Sequence, residues 1–102
     1  MVLMEFSMFP LDKGVSLSPY VARSLDIIDR SGLPYRCHAM GTILEGPYDE
    51  VMAVVRECFE AMAANCDRIE CTVKLDFRRN RAGRLDAKVA SVEEKLGRAV
   101  RK

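Results

Sequence analysis

Residues 47–78 read PYDEVMAVVRECFEAMAANCDRIECTVKLDFR, and two hydrophobic periods meet within them. Val51, Val54, Val55, Cys58, Phe59 and Met62 recur at i, i+3, i+4, i+7, i+8 and i+11, which is one face of an α-helix. Pro47 suits the opening of that helix, and Asp49 and Glu50 fall in its first turn, where the helix dipole favours acids. The pattern predicts a helix ending near Asn65. From Ile69 the period drops to two. Ile69, Cys71, Val73, Leu75 and Phe77 alternate with Glu70, Thr72, Lys74, Asp76 and Arg78, as in a half-buried strand with a polar outer face.

Upstream, Val2, Met4, Phe6 and Met8 alternate with Leu3, Glu5, Ser7 and Phe9, predicting a first strand that Pro10 ends. Ser18-Pro19 reads as an N-cap followed by a first helical position, and Val21, Leu25 and Ile28 continue at helical spacing. Gly32 is a stop, which places the helix at about 19–31. Leu33 to His38 and Thr42 to Gly46 read as short strands. The Met40-Gly41 turn between them is too short for a crossover, so they form an antiparallel hairpin. Val89, Val92 and Leu96 predict a last helix, capped by Asp86. The order is β-α-β-β-α-β with an extra C-terminal helix. That is the α+β, ferredoxin-like pattern in one domain, 1–102, with two helices on one face of a four-stranded antiparallel sheet. The other face is expected to be open and to carry Glu5, Ser7, Phe9, Arg36, His38 and the polar set of the last strand. It suits a polar small molecule or a second subunit, and it also reads as a plain solvated face.

Composition narrows the function. The 102 residues carry 16 Lys+Arg against 15 Asp+Glu, so no overall basic field favours nucleic acid. The shared fold order raises an RNA-recognition module, but the last strand offers no outward aromatic for base stacking. Arg78, Arg79, Arg81 and Arg84 read as a solvated loop. No apolar run approaches the ~20 residues of a membrane span. The Met1–Glu5 start lacks a basic n-region, so the expected compartment is the cytoplasm. Cys37, Cys58, Cys66 and Cys71 show no C-x-x-C spacing, and Cys37 and His38 point to opposite faces of their strand. No metal site or disulfide framework is expected, and neither is a cofactor. There is no nucleophile elbow, P-loop or dinucleotide fingerprint, so no enzyme is expected.

Three segments together resemble a known family. They are Pro10-Leu11 with Val15-Ser16-Leu17-Ser18-Pro19-Tyr20-Val21, then Met40-Gly41-Thr42-Ile43-Leu44-Glu45-Gly46, then Arg68-Ile69 with Lys74-Leu75-Asp76-Phe77-Arg78, Lys88 and Ser91-Val92. The chain resembles the small thiamine-binding proteins, single-domain relatives of YkoF. The resemblance implies non-catalytic binding of thiamine or its hydroxymethylpyrimidine part by a homo-oligomer, a dimer or tetramer. Thiamine's thiazolium is cationic, and its aminopyrimidine presents an amino donor and ring-nitrogen acceptors. Against that chemistry, Glu45 can accept from the amino group, and Thr42, Ser16 or Ser18 can complete the polar contacts. Phe6, Met8 and Met40 can supply an apolar wall. Each has a plainer reading too: Glu45 as a cap of the helix opened at Pro47, Thr42 as a hairpin residue, Ser18 as an N-cap, Phe6 and Met8 as core. So short a strand leaves open whether 42 and 44 or 43 and 45 face outward. Two other classes stand beside ligand binding. One is a structural or regulatory assembly module without a small ligand, and the other is an enzyme using a carboxylate near the same site.

Overall fold

A computed structural model describes residues 1–102. The elements are β1 (Val2–Pro10), α1 (Ser18–Arg30), β2 (Tyr35–His38), β3 (Gly41–Gly46), α2 (Tyr48–Ala63), β4 (Ile69–Phe77) and α3 (Arg84–Leu96). The strands form one sheet in the order β2-β3-β1-β4, with every neighbouring pair antiparallel. This is the ferredoxin-like α+β arrangement expected from the two hydrophobic periods, with α3 added.

β1 is central but its two ladders differ in length. It pairs with β4 from Val2↔Phe77 to Pro10↔Ile69. With β3 it pairs only from Val2↔Gly46 to Phe6↔Thr42. Because residues directly opposite share a face, the β1–β3 register decides the orientation that β3 alone leaves open. Thr42 and Leu44 join Phe6 and Met4 on the helix side, and Ile43 and Glu45 lie on the other. Met4, Leu44, Val51 and Met62 are completely buried where β1, β3 and α2 meet. Cys58 is also buried, with its thiol 3.8 Å from the Ser24 carbonyl of α1. Burial pushes that thiol up to about 11.

Several local expectations are corrected. Ser18 is the first helical residue and makes no capping hydrogen bond; Leu17 occupies the cap position, and its carbonyl accepts from Tyr20 and Val21. Asp86 lies inside α3 rather than capping it. Arg84 is buried rather than solvated in a loop. β4 is not half-buried, because α1 and α2 do not reach over its helix-side residues, and Cys71, Val73, Leu75 and Phe77 are all exposed. The opposite face of the sheet is not wholly open either, since α3 begins on it.

The docking of α3 is polar. Gly83 precedes the helix with φ +69°, a left-handed conformation that glycine adopts without strain, and it has no side chain to cap the helix. Glu45 of β3 supplies the missing acceptor: its Oε2 receives the Arg84 backbone N–H at 2.8 Å. The carboxylate thus sits at the positive end of the helix dipole. Arg84 and Lys88 both donate to Asp76 of β4, and the Arg36 guanidinium of β2 meets Asp86 at 2.7 Å. Beyond this turn the helix leaves the sheet, and Val92 and Leu96 are half-exposed.

Two expected outcomes follow from this packing. Leu44→Ala, at a completely buried site, costs about 2–5 kcal/mol in urea unfolding, whereas Val92→Ala changes stability by less than about 1 kcal/mol. Hydrogen bonds from Lys88 and then Arg84 hold the Asp76 carboxyl down at about 2, against 3.8 for a free one. A group depressed on folding stabilises the fold above its unfolded pKa, and the effect fades as pH falls through the folded value. Amide exchange in α3 should therefore be faster in Asp76→Asn than in the native chain from about pH 7 to 5, with the difference closing between about pH 4 and 2.

Candidate functional site

The difference in ladder length leaves a notch. Past Phe6↔Thr42 the β2–β3 hairpin turns away while β1 continues to Pro10. The Arg68 carbonyl accepts from Leu11 N–H at 2.8 Å, which sets the parity of the sheet. Odd-numbered peptide groups of β1 point to β4, and even-numbered ones point to β3. The next even position after Phe6 is Met8, whose N–H and C=O therefore have no strand partner on that side.

A cavity of about 280 Å³ occupies this notch. Its walls are Phe6–Phe9 of β1, Leu17, Val21, Ser24, Leu25 and Ile28 of the α1 segment, and Cys37–Thr42 of the hairpin turn. Ten of its fifteen lining residues are hydrophobic, and none is Asp, Glu, Lys or Arg. The polar side chains are Ser7, Ser24, His38 and Thr42, with Ser24 and Thr42 buried. A few hydroxyls in an apolar cleft beside a bare strand edge suit a flat, neutral, hydrogen-bonding ring.

The hairpin turn that rims the cavity is itself held in place. The Met40 N–H donates to His38 Nδ1 at 3.2 Å, and His38 Nε2 lies 3.4 Å from Glu5 Oε2. The imidazole reaches Glu5 past Gly41, the residue paired with His38. A Cβ on Gly41 would stand 2.8 Å from the Phe6 carbonyl oxygen, so only glycine permits this approach. Met40 is 82% exposed at the rim.

Phe6, Met8, Met40 and Thr42 thus come together in one cavity. Glu45, Ser16 and Ser18 do not join them. Glu45 faces the other side of the sheet and caps α3 rather than the helix opened at Pro47; Ser16 and Ser18 are exposed ahead of and at the start of α1. Sequence reasoning missed Ser24, His38 and Cys37 as cavity residues. Ser24 had a signal: it is a hydroxyl set among Val21, Leu25 and Ile28 on the inward stripe of its helix. A second, smaller hollow of about 170 Å³ lies on the other face among Leu3, Glu5, Ile43, Lys74, Asp76 and Lys88. All four cysteines are free, and no three His, Cys, Asp or Glu side chains cluster as a metal site would require.

Relatives carry the same architecture. A UPF0045 protein of Mycobacterium tuberculosis is 39% identical over 96 residues, covering 93% of this chain and 94% of its own. A UPF0045 protein of Methanocaldococcus jannaschii is 31% identical over 93 residues, covering 91% of this chain and 93% of its own. The latter's crystal structure superposes with a TM-score of 0.84, covering 91% of this chain and 96% of that one. A Thermotoga maritima protein assigned provisionally to thiamine biosynthesis or salvage superposes at 0.79 with 20% identity, covering 89% of this chain and 97% of that one, which shows a shared fold. The model of the thiamine-binding protein family matches residues 4–93, and with these relatives it places the chain in that family.

Proposed function

We propose that the protein binds thiamine, or its hydroxymethylpyrimidine part, in the notch between β1, α1 and the β2–β3 turn, and holds it without converting it. In this reading it is a cytoplasmic carrier, buffer or sensor that works as a homo-oligomer, dimer or tetramer. The observation that carries the reading is the apolar cavity against the unpartnered peptide groups of Met8, within a chain of the thiamine-binding family. An aminopyrimidine offers an amino donor next to a ring-nitrogen acceptor. A bare strand edge offers the complementary carbonyl and N–H, and Thr42 and Ser24 supply further hydroxyls. Phe6 and Met8 provide the flat apolar wall.

The same lining sets the ligand's direction. The cavity has no carboxylate to pair with a cation, and burying an unpaired charge is costly. The pyrimidine therefore enters first and the thiazolium stays at the solvent-facing mouth beside Met40. Glu45, on the opposite face, acts on α3 rather than on the ligand. The second reading, an assembly module without a small ligand, draws on the uncovered apolar residues of β4.

Titration calorimetry on protein unfolded and refolded to strip any carried-over ligand tests this. Saturable binding of thiamine near one per subunit is expected, with hydroxymethylpyrimidine keeping most of the affinity. Thr42→Val weakens binding by about tenfold through loss of a hydrogen bond in a buried site. Glu45→Gln leaves affinity within about twofold while loosening α3. No heat from thiamine, hydroxymethylpyrimidine or thiamine phosphate with a folded oligomer would sink the ligand reading and leave the assembly module.

A further inference from the structure

The second hollow, of about 170 Å³, lies on the face of the sheet opposite the notch, under the side of α3 that carries Lys88. Its lining comes from four elements: Leu3 and Glu5 of β1, Ile43 of β3, Lys74 and Asp76 of β4, and Lys88 of α3. The register explains why they converge. Glu5 stands directly opposite Ile43 on one side and Lys74 on the other, and Leu3 stands opposite Asp76. Residues directly opposite share a face, so two adjacent cross-strand rows supply the floor. Lys88 closes the wall by donating to Asp76. Leu3 and Ile43, both half-buried, set an apolar patch beside two ammonium and two carboxylate groups.

These four charges are not equivalent. Asp76 is already held by Lys88 and by the buried Arg84 guanidinium. Lys74 makes no ion pair, although a carboxylate stands directly across the ladder from it; Glu5 turns instead to His38, at 3.4 Å. The hollow thus presents an unpaired ammonium and an accessible carboxylate on neighbouring strands, about 5 Å apart in the ladder direction. We propose that this hollow binds a small zwitterion, an α-amino acid with a short aliphatic side chain. Its carboxylate accepts from Lys74 and Lys88, its ammonium donates to Glu5, and its side chain lies on Leu3 and Ile43. A simple anion held by the lysines is set against the Glu5 carboxylate, and a simple cation on Glu5 is set against Lys74. Each meets a like charge that a zwitterion satisfies. The apolar floor favours an aliphatic side chain over a polar one. Thiamine, a cation without a carboxylate, does not match this hollow, so the two cavities sort ligands by charge. The site is independent of what fills the notch.

Titration of the full chain with L-valine, followed by NMR, tests the assignment. Saturable binding with a Kd of about 1 mM is expected, ordinary for a ligand of so few atoms, with the methyl signals of Leu3 and Ile43 moving. The ring signals of His38, the one histidine of the chain, move with them as the ligand's ammonium competes for Glu5. Lys74→Met, at an exposed site, should weaken valine binding by about tenfold and leave thiamine affinity within about twofold. Isobutylamine lacks the carboxylate and isovalerate lacks the ammonium, and each should bind at least about tenfold more weakly than valine. Isovalerate binding as tightly as valine would make the hollow a plain anion site and overturn the zwitterion. Still signals from Leu3 and Ile43 at about 20 mM valine, well above the expected Kd, or binding that Lys74→Met leaves unchanged, would overturn the site itself. A failed thiamine titration would bear on the notch alone.

Discussion

Every feature of this fold depends on β1 having two neighbours of unequal length. β1 meets β4 along its whole length and β3 only as far as Phe6. Since each strand residue directs its peptide groups to one neighbour and its side chain to one face, two choices settle the molecule: which neighbour, and which face. Even-numbered β1 side chains enter the core beneath α1 and α2. Even-numbered peptide groups turn to β3 and are left without a strand partner from Met8 onward. The core and the cavity are therefore continuous, with Phe6 and Met8 belonging to both.

The two faces of the sheet are held by different forces. On the helix side the completely buried residues are apolar, and packing provides the stability. On the other side α3 is fastened by charged groups at the sheet surface: Glu45 at its first peptide N–H, Asp76 between Arg84 and Lys88, and Arg36 on Asp86. The exposed pairs, Lys88 on Asp76 and Arg36 on Asp86, each contribute little; the buried members are the Arg84 guanidinium on Asp76 and the Glu45 carboxylate on a helix end that has no cap of its own. A glycine in the left-handed region can begin a helix only if something else satisfies the first amide, and β3 provides it.

Much of the architecture was legible in the chain. Strict alternation over Ile69–Phe77 and the helical spacing from Val51 to Met62 are long enough to be unambiguous, and with the shorter elements they dictate the order and so the topology. The resemblance carried by Met40–Gly46 pointed to the family and brought Phe6, Met8, Met40 and Thr42 forward together. What could not be read was anything set by register. Six residues of β3 do not say which face Glu45 takes; their pairing with β1 does. The place of Ser24 and His38 in the cavity likewise depends on where the hairpin stops, a distance relation between segments far apart in sequence. The cover over β4 failed expectation for a related reason: alternation reports that one face is apolar, not that a helix is wide enough to reach it.

The long ladder also has a consequence for how the chain acquires its shape. The hairpin of β2 and β3 is local and can close as soon as it exists. The central strand, by contrast, waits for residues near the other end of the sequence, since Val2 pairs with Phe77 and Pro10 with Ile69. Contacts this distant in sequence slow folding, because the intervening loop must be ordered before they form. On the ribosome, where the first residues emerge long before the last, β1 would spend most of synthesis with an apolar face and an unpaired edge. The interval between synthesis of Val2 and of Phe77 is therefore the period in which this chain most exposes surface that other chains can pair with.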